Sequence, residues 1–153
     1  MTRSLAALLL SAIAMLAIAA CGGDDGDDQA FQDDFPALSE RISSLGEEVG
    51  NTIETAENAR AAELANEFKS FGQELGELRQ ELEDLEPPED LADEREDLVS
   101  AMGEVRSSLE DIASAANEGD PEAARQATLE LIDRSEQLRD ARQALGQAVR
   151  EGE

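Results

Sequence analysis

A chain of 153 residues with a formal net charge of −25 and a single cysteine is one domain's worth of strongly acidic polypeptide that can form no intramolecular disulfide. Histidine, tryptophan and tyrosine are all missing, which removes the usual neutral-pH general base, the commonest metal ligand and the best aromatic platforms for sugars and bases. The charge excludes nucleic acid and adsorption of the protein surface to anionic headgroups, since both are polyanions.

The chain opens with Arg3 in a short polar start, an apolar run from Leu5 to Ala20, and then Cys21, Gly22 and Gly23 ahead of a dense acidic tract. The stretch Ile18-Ala19-Ala20-Cys21 resembles the lipobox of the bacterial lipoprotein signal. That resemblance covers residues 1 to 21 and implies cleavage between Ala20 and Cys21 and a thioether from the Cys21 thiol to a diacylglyceryl lipid, with palmitate among the acyl chains. An ordinary secretory signal cleaved near Ala20 and an uncleaved anchor are the other readings. The apolar run is short against the roughly 20 residues of a spanning helix. Loss of residues 1–20 takes Arg3 away and moves the formal charge from −25 to −26.

Residues 21–35 place six aspartates among glycines and read as a flexible acidic tether carrying the lipid on Cys21. The same aspartates miss the calcium-loop register, because Gly26 in the sixth place would put Cys21 in the first.

From Pro36 to the end the pattern is helical, with apolar residues at alternating spacings of three and four. The first stripe is Leu38, Ile42, Leu45, Val49, Ile53 and Ala56, and Phe35-Pro36 suits a helix entrance. The second runs Leu64, Phe68, Phe71, Leu75, Leu78, Leu82 and Leu85, out of phase with the first, so the chain must break or shift near Glu57 to Arg60. A single long helix with a phase shift is the alternative there. Pro87-Pro88 ends the second helix, and Pro88 fits the first turn of a third. The third stripe contains Leu91, Leu98, Met102, Val105, Leu109, Ile112 and Ala116, and Gly119 then Asp120-Pro121 stop that helix and cap the next. The fourth stripe is Ala124, Ala127, Leu131, Leu138, Ala141, Leu145 and Val149, with Leu129 on the opposite, exposed side.

The expectation is all-α: an antiparallel up-and-down bundle over residues 36–153, with helices at about 36–56, 60–86, 88–118 and 121–150. The same heptads could serve an intermolecular coiled coil, but short connections favour folding back on one chain. Gly72 and Gly76 read as tolerated helix glycines.

Charge is unevenly shared, with nets of −9, −6, −9 and −2 for residues 22–60, 61–86, 87–120 and 121–153. Arg125, Arg134, Arg139, Arg142 and Arg150 lie on the last helix, which leads us to expect electrostatic complementarity with its acidic neighbours. The carboxylates read as a solvated face. Bundle di-metal sites rely on Glu-x-x-His, which this chain cannot form, and a Ser–Lys pair would have to use Lys69 beside Ser70 on different helical faces. No catalytic, metal or cofactor site is expected.

The run Leu82, Leu85, Pro87, Pro88, Leu91, Leu98, Val99, followed by Gly119, Asp120, Ala144, Leu145 and Gly146, resembles a pattern in small uncharacterised helical lipoproteins of actinobacteria. It covers about half the chain, and the matched positions are apolar contacts, a turn and caps. Where such sequences often carry a histidine or aromatic residue after the proline pair, this one has Glu94 to Asp97. The resemblance implies a location and a fold, not an activity. The expected function is that of an exported, lipid-anchored envelope protein with a structural or protein-interaction role. It would be held on the extracytoplasmic face of the cell membrane through Cys21, an outer-membrane home staying open because Gly22 is not a retention aspartate. An extracytoplasmic binding module for cations or a cationic solute is the rival reading.

Overall fold

The computed structural model describes residues 25–56 and 59–152, the side chains of residues 25–28 excepted. Four α-helices follow one another: α1 (Asp25–Thr55), α2 (Ala61–Asp84), α3 (Ala92–Glu118) and α4 (Pro121–Glu151). A 3₁₀ turn, Glu89–Leu91, leads into α3. No strand occurs among the described residues.

The expected stripes form the core. Leu38, Ile42, Leu45 and Val49 of α1, Phe68, Leu75, Leu78 and Leu82 of α2, Leu98, Met102, Val105, Leu109 and Ile112 of α3, and Ala127, Leu131, Leu145 and Val149 of α4 are all buried. Burial of such side chains stabilises by about 1.5–3 kcal/mol each relative to exposure. Leu129 stands 60% exposed, as its place opposite the fourth stripe requires.

The helices run alternately up and down. Arg41 of α1 meets Glu81 of α2, Gly76 of α2 lies against Arg106 of α3, Arg134 of α4 reaches the Glu104 carbonyl of α3, and Gly146 of α4 lies against Phe35 of α1. Around the bundle each helix therefore neighbours the next, and α4 closes the ring on α1.

The α2–α3 and α3–α4 seams are extensive, whereas α1 meets its neighbours more sparsely. Small residues explain the first seam. A methyl built at Gly72 would lie 3.8 Å from Glu110 Cγ, and one at Gly76 would lie 3.5 Å from Arg106 Nη1, so these glycines face α3 at ordinary contact distance. They are packed positions, not idle ones.

The start of α1 departs from the expectation. Of the tether foreseen over residues 21–35, residues 25–35 are helical, while residues 21–24 lie outside the described residues. Phe31 is fully buried and Phe35 is 2% exposed, and their rings stack with centroids 5.7 Å apart. With Leu38 and Ile42 they extend the apolar stripe at spacings of four, three and four. Pro36 consequently lies inside the helix instead of opening it. An interior proline costs about 3 kcal/mol, and burial of two phenylalanines, worth about 3–6 kcal/mol together, offsets it.

The remaining junctions follow local chemistry. α1 ends at Thr55 and α2 starts at Ala61, so the out-of-phase stripes are two helices; Glu57 and Asn58, within the expected break, lie outside the described residues. α2 ends just before the proline pair with Leu85 extended (φ −81°, ψ 121°). Arg95 caps that end from α3, its Nε donating to the Leu82 carbonyl at 3.1 Å and its Nη2 to that of Glu83. Pro88 precedes the 3₁₀ turn with ψ 147°, one turn earlier than a helical position in α3. Gly119 adopts φ +70°, with its N–H on the Ala116 carbonyl at 3.3 Å and the Asp120 N–H on that of Ala115 at 3.0 Å. Asp120 Oδ1 then accepts from the Glu122 and Ala123 amides at 3.1 and 3.0 Å to open α4.

Ser108 is the one described polar side chain that is fully buried without a partner. A helical serine ordinarily returns its hydroxyl to the carbonyl four residues back. Here that carbonyl, Glu104, already accepts from Arg134 Nη1 at 3.1 Å as well as from the helix.

Two stability measurements test this packing. Phe31→Ala should lower unfolding free energy by about 3 kcal/mol in chemical denaturation, the usual cost of emptying a phenylalanine site; a change within about 0.5 kcal/mol would mean that the first turns of α1 are not docked. Ser108→Ala should leave stability unchanged or raise it by up to about 1 kcal/mol, since it removes an unsatisfied hydroxyl, and a loss beyond about 1 kcal/mol would reveal a hydrogen bond there.

Candidate functional site

The residues expected to carry the lipid chemistry, Cys21 and the Ala20–Cys21 cleavage point, lie outside the described residues, as does all of the 1–20 signal. Among the described residues no helix is long and apolar enough to cross a membrane, and no group of three or more histidine, cysteine or acidic side chains is placed to hold a metal ion. Lys69 and Ser70 are both exposed on α2.

What the bundle does present is a cleft along the α1/α4 seam, where α1 stands off from its neighbours. Three openings lie end to end. The central one, about 380 Å³, has a floor of Ile42, Leu45, Val49, Leu75, Val105 and Leu109, with Leu138 on the α4 side. Ser43, Glu47, Ser135, Arg139 and Arg142 form its rim. Toward the start of α1 it passes Ser43 and Arg142 into a second opening of about 370 Å³ beside Phe35, Gly146 and Arg150. Toward the end of α1 it passes Gly46, Val49, Ser135 and Arg139 into a third of about 250 Å³, beside Ile53, Leu131 and Ile132.

The α1 wall is open because of Gly46 and Gly50. A methyl built at either would meet nothing within 4 Å, in contrast to the packed glycines of α2. Helix-interior glycine costs about 1 kcal/mol against alanine, and here no neighbouring backbone or side chain uses the space.

The electrostatics of the cleft differ from those of the chain. Arg142 is half-buried and crosses from α4 to α1, where its Nη1 donates to Ser39 Oγ at 3.0 Å. Among the described residues no carboxylate comes within salt-bridge distance of it. Among the described residues Arg139 pairs only with its sequence neighbour Asp140, at 3.8 Å. The cavity between α3 and the start of α4 is the opposite case, lined by Asp111, Glu118 and Glu130.

Complementarity between α4 and its neighbours takes a form other than the one expected. The described ion pairs of its arginines stay within α4: Arg125 with Glu122 at 3.1 Å, Arg134 with Glu130 at 3.9 Å, and Arg139 with Asp140. Its bonds to other helices go to neutral acceptors, the Glu104 carbonyl and the Ser39 hydroxyl. A specific interhelical pair needs matched register, and among the described residues these arginines meet none.

One interhelical ion pair does occur among the described residues, between Arg41 of α1 and Glu81 of α2. It is bidentate, with Nη2 to Oε1 at 3.0 Å and Nη1 to Oε2, and about half exposed on each side. The hydrogen bond from Arg41 holds the Glu81 carboxyl below its ordinary pKa, and the same bond raises that of Arg41.

The fold and this seam define an antiparallel four-helix bundle with an arginine-rimmed apolar side cleft. Compared with known proteins, the chain matches no family model, no curated protein and no solved structure at a significant level. The apolar floor was legible in the sequence as core stripe. The cleft was not, since it depends on how far α1 stands from α4, and the only sequence signal was the pair Gly46 and Gly50 beside that stripe.

The Arg41–Glu81 pair sets a pH dependence. Glu81 has a lower pKa folded than unfolded, so its contribution is complete above the unfolded value of about 4.3 and disappears as pH falls through the folded value. Exposure limits it to under about 1 kcal/mol. Glu81→Gln should destabilise slightly at pH 7, and the difference from wild type should shrink as pH falls below the carboxylate range and through the lowered folded pKa of Glu81; a difference that persists unchanged in acid would show that the side chain acts through packing.

Proposed function

We propose that this chain is an exported protein held by lipid on Cys21 at the extracytoplasmic face of the cell membrane, where its helical domain acts through protein contacts in the envelope and performs no catalysis. The anchor rests on Ile18-Ala19-Ala20-Cys21 following Arg3 and the apolar run. A diacylglyceryl group supplies more than the single acyl chain that binds a membrane only marginally.

The observation that carries the contact role is the apolar patch at the open end of the cleft. Leu129 and Ile132, 60% and 48% exposed, are one turn apart on α4 and are the described large apolar side chains most open to solvent. Ile132 continues into Ile53 and Leu131 of the cleft wall, so the patch is contiguous with a depression instead of being scattered. The envelope partner is thus expected to bring an apolar side chain to this end.

Cys21→Ser should abolish palmitate incorporation and release the protein from the membrane fraction. Membrane retention with unchanged processing would overturn the anchor. Crosslinking of the lipidated protein in its own membrane should yield a partner adduct that Leu129→Asp with Ile132→Asp removes while thermal stability is kept; an unchanged adduct would place the contact elsewhere.

A further inference from the structure

The α1/α4 cleft sets a polar rim over the apolar core along one seam. Its floor is aliphatic along Ile42, Leu45 and Val49, its α1 wall is kept open by Gly46 and Gly50, and its rim holds a half-buried arginine whose described partner is a hydroxyl. In a chain of charge −25, leaving Arg142 without a carboxylate partner is notable, because a partly desolvated guanidinium gains most from a charged acceptor. The three openings are lined by Arg139, Arg142 and Arg150 beside Glu40, Glu47 and Glu136, so the cleft is balanced in charge within an acidic chain, and Arg142 is the arginine there that is half-buried with no carboxylate in salt-bridge distance among the described residues. A volume of about 380 Å³ with an apolar floor and a polar rim suits a small amphiphile.

We propose that the cleft binds one single-chain anionic amphiphile, an aliphatic carboxylate, with its head on Arg142 and Arg139 and its tail laid along α1 toward Ile53 and Ile132. Ser43 to Ile53 spans about 15 Å at the helical rise, which suits a chain of about a dozen carbons. Ser39, already bonded to Arg142, orients the guanidinium toward the head, and Ser43 and Ser135 stand on the rim as further hydroxyls. Electrostatic complementarity selects the sign: a cationic amphiphile would place its head against two arginines. This site is independent of whether Cys21 carries lipid.

The test is titration of the full-length chain with dodecanoate, kept below its micelle concentration, beside dodecylammonium at the same ionic strength. Saturable binding of one dodecanoate per chain is expected, with at least a tenfold weaker Kd for dodecylammonium. Arg142→Met removes the charge and keeps the aliphatic stem, and should weaken dodecanoate at least tenfold. Gly46→Leu fills space that no atom of the bundle uses, so it should block binding while keeping or raising the melting temperature. Non-saturable uptake, equal affinity for the two amphiphiles, or wild-type affinity in Arg142→Met would overturn the proposal. If Gly46→Leu melts below wild type, Arg142→Met alone decides.

Discussion

Everything in this bundle depends on how closely α3 can approach its neighbours. A helix that meets a partner through glycine or alanine comes nearer than one that meets it through leucine, and dispersion falls off steeply with separation. Gly72 and Gly76 give α2 that approach to α3, and α3 meets α4 along a comparably extensive seam. Three helices are thereby locked along extensive seams, and α1 joins by its apolar stripe without a comparable close seam. The stand-off of α1 leaves the cleft as a consequence of the packing, and the two glycines beside it deepen it.

The charge of −25 is accommodated by a different route. Carboxylates point outward, and the arginines are spent where they satisfy backbone: Arg95 on the last carbonyls of α2, Arg79 on the Val99 carbonyl at 3.3 Å, Arg134 on Glu104. Each of these bonds ties two helices and settles a helix end or a crossing, which an exposed ion pair worth under about 1 kcal/mol would not do. Arg142 belongs to the same set by position, since it also crosses a seam, yet it ends on a side-chain hydroxyl at the mouth of an apolar opening.

The sequence made the helices, their phases and most junctions readable, because a spacing of three and four residues is a direct image of one helix face. The Gly119 and Asp120 junction was readable for the same kind of reason: a left-handed glycine and an acceptor at the cap are single-residue requirements. The start of α1 was misread because composition and periodicity disagreed there. Six aspartates suggested a solvated spacer, and Pro36 suggested an entrance, while Phe31 and Phe35 continued the stripe. Two buried aromatic rings outweigh one lost backbone bond, so periodicity wins. The cleft needed the interhelical distances, which no local pattern encodes.

The early start of α1 changes the geometry of anchoring. If Cys21 carries the lipid, only four residue steps separate it from Asp25, at most about 14 Å of chain, and not the long spacer that an extended tract to residue 35 would allow. The bundle must then stand close to the membrane on one end, the end that holds Phe31, the junction from α2 to α3, and the last turns of α4. From Asp25 to Ile53 the axis of α1 covers about 42 Å, so the exposed Leu129 and Ile132 lie at the far end from the lipid. With the bundle upright on such an anchor, an apolar patch held that far from the bilayer would not be a membrane contact. Under the proposed anchoring it would face away from the bilayer, open to the envelope partner proposed above.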